Sequence, residues 1–167
     1  GPIAVLGTRA TIESRAYPTA LSALGYHGEV RSVACPLFVP LAEEGWHESP
    51  VTKEVARTYL KPLVNSGVDT VILGCTHYPL LRTVITEVVE EICGTGVAIV
   101  DSAQAAAQAI SSVLQEANLF ASSGQLTQRF FVTDAPSRVS AVASRFWNET
   151  EQGKPAFEHV DITFTAT

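Results

Sequence analysis

A cysteine and a histidine two residues apart, Cys75 and His77, sit where a short apolar run gives way to a turn, in Leu73-Gly74-Cys75-Thr76-His77-Tyr78-Pro79. A thiol placed just after a strand and just before a helix lies in the positive field of the helix N-terminus, which favours the reactive thiolate. An imidazole two residues on can share a proton with that thiol or act on a substrate beside it. Thr76 adds a hydroxyl, the free N–H groups of a first helical turn can hold a carboxylate, and Gly74 lets backbone approach a ligand closely. The other reading is a buried strand-end thiol, with Thr76 and His77 as helix caps. Spacing alone leaves both open.

Two further strand ends bring different groups. Leu6-Gly7-Thr8-Arg9-Ala10-Thr11 places Thr8 and Thr11 at a strand-to-helix turn, where hydroxyls and backbone N–H groups suit a small carboxylate ligand. The same two threonines would equally serve as caps. Cys35-Pro36-Leu37-Phe38-Val39-Pro40-Leu41 reads as an apolar connecting segment framed by two prolines, followed by Glu43 and Glu44. One of these carboxylates could face a cleft and tune a nearby imidazole, or both could be a solvated pair. A zinc set built on Cys75 and His77 would need Cys35 or His47 to complete it, and structural zinc sites show close ligand pairs on both sides. Only one such pair is present, so no metal is expected.

These segments need elements to position them. Ile3 to Gly7 and Thr70 to Gly74 are short apolar runs without alternation, as expected of parallel strands buried on both faces. Glu29 to Ala34 alternates as a strand does, and Val97 to Val100 is another buried strand. Between them, Thr11 caps a helical stretch closing near Gly25. Ser49-Pro50 opens a helix running to Ser66-Gly67, which Pro62 should kink or shorten. Tyr78 to Ile92 is helical in period, with Cys93 near an end stopped by Gly94, and Ala-rich 102–117 is a further helix. After a Ser122-Ser123-Gly124 loop come a strand from Arg129 to Val132, a helix from Pro136 to Trp147 and a last strand from Phe157 to Ile162. Strand and helix in alternation predict an α/β fold with a mainly parallel sheet flanked by helices.

Composition narrows the class. Across 167 residues, 11 Lys plus Arg against 17 Asp plus Glu give a net charge of −6, which argues against nucleic acid or an anionic membrane surface as partner. At 46% hydrophobic residues, most of the chain is too apolar for disorder. No run approaches ~18 apolar residues and no basic-then-apolar leader opens the chain, so a cytoplasmic protein is expected. Three widely spaced cysteines speak against a disulfide framework. With no Met, and Gly1-Pro2 leading straight into an apolar run, the sequence reads as cut from something longer.

Taken together, the three loops resemble those of the glutamate racemases, in the cofactor-independent Asp/Glu racemase family. Leu73 to Leu81 is similar to that family's second catalytic-cysteine motif across its whole length. Gly7-Thr8 with Thr11-Ile12 and Ser14 resembles its Gly-Thr-x-x-Thr segment. Residues 35–41 with Glu43 resemble its Pro-Leu-Phe-Val-Pro-Leu-x-Glu segment, and Val100-Asp101-Ser102-Ala103 and Glu158-His159-Val160-Asp161 also fit.

The resemblance implies a two-lobed α/β protein with one catalytic Cys per lobe, interconverting L- and D-glutamate for peptidoglycan without pyridoxal or metal. The first lobe's Asp-Ser-Gly loop and Cys-Asn-Thr motif do not appear. Residues 1–103 would then be the second lobe, and 104–167 a C-terminal segment returning to the first. Cys75 would act on the L-glutamate face, assisted by His77, with Glu43 tuning that His and Thr8, Thr11 and Thr76 holding substrate. A homodimer is implied for the intact protein, and little activity for this chain alone. Three other readings stand beside this one: an aspartate racemase, a Cys/His thiol hydrolase, and a non-catalytic folded fragment. The fragment would expose an apolar face, with Phe146 and Trp147 as candidates for it.

Overall fold

A computed structural model describes residues 1–121, 128–146 and 156–162. They fall into two units, Gly1–Leu119 and Phe120–Thr167. The first is built on β1 (Ile3–Gly7), β2 (Val30–Ala34), β3 (Thr70–Leu73) and β4 (Ala98–Asp101). All four are parallel, in the order β2-β1-β3-β4. The expectation of a mainly parallel sheet flanked by helices holds.

Right-handed crossovers decide where the helices go. The step from β1 to β2 moves one way across the sheet, carrying α1 (Arg9–Glu13) and α2 (Ala16–Ala23) to one face. The steps to β3 and β4 move the other way, and α3 (Phe38–Glu43), α4 (Pro50–Leu60) and α5 (Arg82–Cys93) cover the opposite face. There α4 buries Thr52, Ala56 and Leu60 at four-residue spacing, and α5 buries Val84, Ile85, Val88 and Val89. These are the one-sided apolar stripes that a sheet-covering helix requires. α6 (Ser102–Glu116) follows β4 and has no buried residue, with Ile110 and Val113 exposed.

Three prolines set helix form more sharply than apolar periodicity predicts. A single helix expected from Thr11 to Gly25 is two, because Pro18 has no N–H for the Ser14 carbonyl and its ring would clash there. The chain breaks at Arg15, in left-handed backbone with φ 55°, and restarts so that Pro18 lies in a first turn. The cap is Thr8, not Thr11: Thr8 Oγ1 accepts from the Thr11 N–H at 3.3 Å. Pro62 ends α4 at Leu60 and tightens Lys61–Leu63 into a 3-10 turn, the expected shortening. Pro79 cannot donate to the Cys75 carbonyl, which accepts instead from Tyr78 N–H at 3.2 Å. Tyr78–Leu81 is therefore a 3-10 turn, and α5 begins only at Arg82. It ends at Gly94, whose φ of 91° suits a residue without Cβ.

The segment 35–45, expected as a connection, contains α3. Pro40 lies in its first turn, where a missing N–H costs nothing, so the proline that suggested a loop is compatible with a helix.

Across the exposed sides of α4 and α5, Lys53 reaches Glu87 and Glu91 at 2.9 Å, and Arg57 holds Glu91 by two hydrogen bonds of 2.8 and 3.0 Å. Hydrogen bonds from Arg57, then Lys53, lower the Glu91 pKa from 4.5 to about 2. A carboxylate depressed on folding contributes stability that is present above its unfolded pKa and lost as pH falls towards the folded value. Urea midpoints should therefore fall between about pH 5 and pH 2, and Glu91→Gln should flatten that fall. An unchanged slope in the variant would contradict the assignment.

The second unit contains β5 (Phe130–Val132) and β6 (Phe157–His159), parallel to one another, with α7 (Pro136–Phe146) between them in sequence. Arg129 pairs with both oxygens of Glu158 at 3.0 and 2.7 Å, and Phe130 packs on Phe157 with ring centroids 5.5 Å apart. Trp147 and the loop around Ser122-Ser123-Gly124 lie outside the described residues, and of Phe146 only its place in α7 is described.

Candidate active site

The strand order places a reversal between β1 and β3. The chain leaves β1 for β2 on one side and returns to the other side with β3. In open α/β sheets the crevice beyond the carboxyl ends at such a switch point is where ligands bind. Leu6 is in register with Leu73, so Gly7-Thr8 and Gly74-Cys75 leave the sheet side by side at that crevice. β2 ends level with them, Gly7 facing Ala34, and Cys35 N–H donates to the Gly7 carbonyl at 2.8 Å. The three loops singled out from sequence thus emerge at one end of three adjacent strands.

Each side chain has a definite place. Cys75 is half-buried and packs against the edge of the core. His77 Nε2 lies 3.4 Å from Glu43 Oε1, with Glu43 reaching it from the last residue of α3. His77 Nδ1 lies 3.4 Å from Thr76 Oγ1. Both ring nitrogens therefore face partners other than the Cys75 thiol, and no hydrogen bond joins Cys75 to His77 among the described residues. A hydrolase built on a Cys–His nucleophilic pair gains no support from this arrangement. Of the two acidic residues that spacing could not separate, Glu43 is half-buried against His77, while Glu44 is exposed at the end of α3.

Thr8 and Thr11 face one another, Oγ1 to Oγ1 at 3.0 Å, while Thr8 also caps α1. The capping reading and the ligand reading thus fall on the same pair, because a hydroxyl that accepts from Thr11 N–H still has a proton to direct elsewhere.

One expectation is corrected here. The N-terminus of α5 is not at the thiol, since the 3-10 turn separates Cys75 from Arg82, and a helix-end field fades within a turn. Cys75 lies in the loop between the end of β3 and that 3-10 turn, not in a long helix's first turn. Gly74 has a task in the sheet as well: a Cβ there would come within 2.9 Å of both the Leu6 carbonyl oxygen and the Tyr17 ring. That close approach is the one made by the 2.7 Å hydrogen bond from Gly74 N–H to Leu6.

The aromatic support of the site was missed as support. Tyr78 is fully buried, its hydroxyl donates to the Cys35 carbonyl at 2.8 Å, and its ring meets Phe38 edge-on at 5.2 Å. Phe38 meets Tyr59 edge-on in turn, at 5.4 Å. The available signal was a hydroxyl-bearing ring inside the otherwise apolar run that follows His77. Asp101 has a related structural task. It caps α6 through Gln104 N–H at 2.8 Å and accepts from Arg82, whose other nitrogen donates to the Ile99 carbonyl at 2.8 Å.

Cys35 is buried and its thiol pKa is pushed up to about 12 by desolvation, so it is inert as a thiolate at neutral pH. His47 is turned to the Ala42 carbonyl at 3.3 Å. Among the described residues no group of three or more His, Cys, Asp or Glu side chains is placed to hold a metal ion. No helix among them is long and apolar enough to cross a membrane.

A parallel α/β lobe with a thiol, an imidazole and a carboxylate at its switch point is the setting in which the comparisons with known proteins fall. The chain belongs to the Asp/Glu/Hydantoin racemase family, whose model matches residues 1–110. A glutamate racemase of Geobacter metallireducens is 45% identical over 147 residues, covering 87% of this chain and 53% of that protein. Among solved structures, the glutamate racemase of Francisella tularensis in complex with D-glutamate aligns with a TM-score of 0.81 at 30% identity, over 96% of this chain and 57% of that one. The Thermus thermophilus glutamate racemase in complex with β-chloro-D-alanine aligns with a TM-score of 0.78 at 35% identity, over 97% of this chain and 57% of that one. The chain spans about half the length of the curated relatives it matches.

Proposed function

We propose that this chain supplies one face of a glutamate racemase active site. Residues 1–103 act as the second of two lobes, residues 104–167 return to the first, and the intact protein is a cytoplasmic homodimer supplying D-glutamate for peptidoglycan. The observation that carries the reading of the site is the arrangement at the switch point: the Thr8 and Cys75 loops leave two adjacent strands that are in register at Leu6 and Leu73, and Glu43 lies 3.4 Å from His77. Membership of the racemase family and the glutamate racemase relatives supply the reaction. The lobe boundary and the dimer rest on the resemblance in sequence alone.

Racemisation removes the α-proton from one face of the carbon and returns one to the other. Cys75, as thiolate, takes the proton of L-glutamate. A thiol outside these 167 residues gives its own proton to the opposite face, and D-glutamate leaves with the two sulfurs exchanged in protonation. An amino-acid α-proton is very weakly acidic, so fixed donors must stabilise the carbanion-like charge in a cleft closed to water. Thr8, Thr11 and Thr76 supply hydroxyls to the substrate's carboxylates or amine. His77 assists on the Cys75 side, and the Glu43 carboxylate orients its ring and balances its charge. No pyridoxal or metal takes part in these steps.

The test is α-proton exchange with L-glutamate in heavy water, followed by NMR and chiral analysis. The intact protein should give D-glutamate carrying deuterium at the α-carbon, and aspartate in its place should react far more slowly. An intact protein that leaves L-glutamate optically unchanged would overturn the reading. The purified 167-residue chain should give little or no D-glutamate, and full turnover from it would place the second base within these residues.

A further inference from the structure

We propose that Tyr78 is a positioning residue for proton transfer, clamping the Cys75–His77 loop to the helix that carries Glu43; this rests on the function proposed above. Backbone and side chain of Tyr78 act in different directions. Its N–H closes the loop on the Cys75 carbonyl at 3.2 Å. Its hydroxyl reaches from the 3-10 turn that follows β3 to the residue just after β2, donating to the Cys35 carbonyl at 2.8 Å. Its ring stands edge-on to Phe38, at interplanar 87°, and Phe38 is the first residue of the helix that ends in Glu43. The thiol loop and the Glu43 helix are thus held on one buried side chain, and the Glu43–His77 contact is made where those two segments meet.

A phenylalanine would fill the same volume, so packing alone does not call for the hydroxyl. A buried hydroxyl must find a partner or lose the hydrogen bonds it had in water, and here the partner lies across the site. Burial, followed by the nearby Cys35, Cys75 and Tyr59, raises the Tyr78 pKa well above its ordinary value. The group therefore remains a donor at any pH at which the protein works. The Cys35 carbonyl also accepts from Phe38 N–H at 3.2 Å, so removing the hydroxyl leaves that oxygen partnered and the fold in place.

Tyr78→Phe tests this in two ways. In the intact protein it should lower kcat/KM about tenfold in both directions, since misplacing a reacting group by a fraction of an ångström has effects of this order and the equilibrium between enantiomers is fixed. The isotope effects should separate. The primary deuterium effect on L-glutamate, whose proton Cys75 takes, should rise towards its full value as that step becomes limiting, while the effect on D-glutamate should fall. A merely structural role would reduce the number of folded sites and leave both isotope effects unchanged, which would overturn the proposal. In the 167-residue chain, the Tyr78 and Leu80 amides should exchange faster in the variant while sheet amides keep their rates. Unchanged loop exchange would equally overturn the clamp. An unsubstituted intact protein without racemase activity would overturn the proposed function instead, and the amide exchange would then decide the clamp on its own.

Discussion

Replacing Cys75 by serine in the intact protein is expected to lower L-to-D racemisation by roughly 10²–10⁴-fold, the range a positioned acid/base group supplies. The alcohol is close to the thiol in size but holds its proton far more tightly, so no useful base remains on that face at neutral pH. The site should otherwise stay assembled, because Cys75 sits half-buried at the edge of the core. The reverse reaction must fall by the same factor, since the two enantiomers are equal in free energy. Their behaviour in heavy water should nevertheless differ. D-Glutamate still meets the opposite thiol and should exchange its α-proton without inverting, whereas L-glutamate should do neither. Racemisation at the unsubstituted rate in Cys75→Ser would remove Cys75 from the mechanism.

The second large effect concerns stability. Phe38→Ala should destabilise the 167-residue chain by about 3–5 kcal/mol, the usual cost of deleting a fully buried aromatic side chain and leaving its cavity. Phe38 is completely buried between Tyr59 and Tyr78, with ring centroids at 5.4 and 5.2 Å, so its loss removes two edge-to-face contacts together with the apolar burial. The damage falls on the helix that ends in Glu43. A urea melt should show a lower midpoint with little change in slope, as for a loss of stability without a change in the surface exposed. A loss below about 1 kcal/mol would mean that the neighbouring helices collapse to fill the space.

The parallel sheet was legible because each of its strands is a short run bounded by turn residues, and because helical segments separate them. The thiol loop was legible for the same reason, since Thr70 to Leu73 reads as a strand whatever follows it. What failed was the detail of the helices, and apart from the cap that falls on Thr8 rather than Thr11, each failure has a proline in it. Pro40 reads locally as part of a connecting segment, yet a proline in a first turn removes an N–H that no carbonyl was waiting for. Pro18 and Pro79 each withhold a hydrogen bond from a specific carbonyl four residues back, at Ser14 and Cys75. Those absences split one expected helix and delay the start of another.

The choice between Glu43 and Glu44 was illegible for a different reason. It depends on the phase of a helix that was not expected, and on a contact made only once β3 has joined β1. The fully buried Tyr78 lay in plain sight within the motif. Its partner carbonyl is 43 residues away in sequence, a separation that no local pattern reports.

Cys35 carries one more consequence. In the finished fold it has no exposed surface, and burial pushes its pKa up to about 12. In a chain whose sheet is incomplete it is an ordinary thiol, open to alkylation or oxidation. Its cover includes Phe38 and Tyr78, brought together only after the strand that leads into the Cys75 loop has docked beside the first. The residue therefore records its own maturation: a brief thiol-labelling pulse during refolding would mark Cys35 in molecules still waiting for that strand and spare it in those already closed. Misassembly and oxidative damage are coupled in the same way, because molecules that stall with the third strand undocked are the ones left holding an extra reactive sulfur.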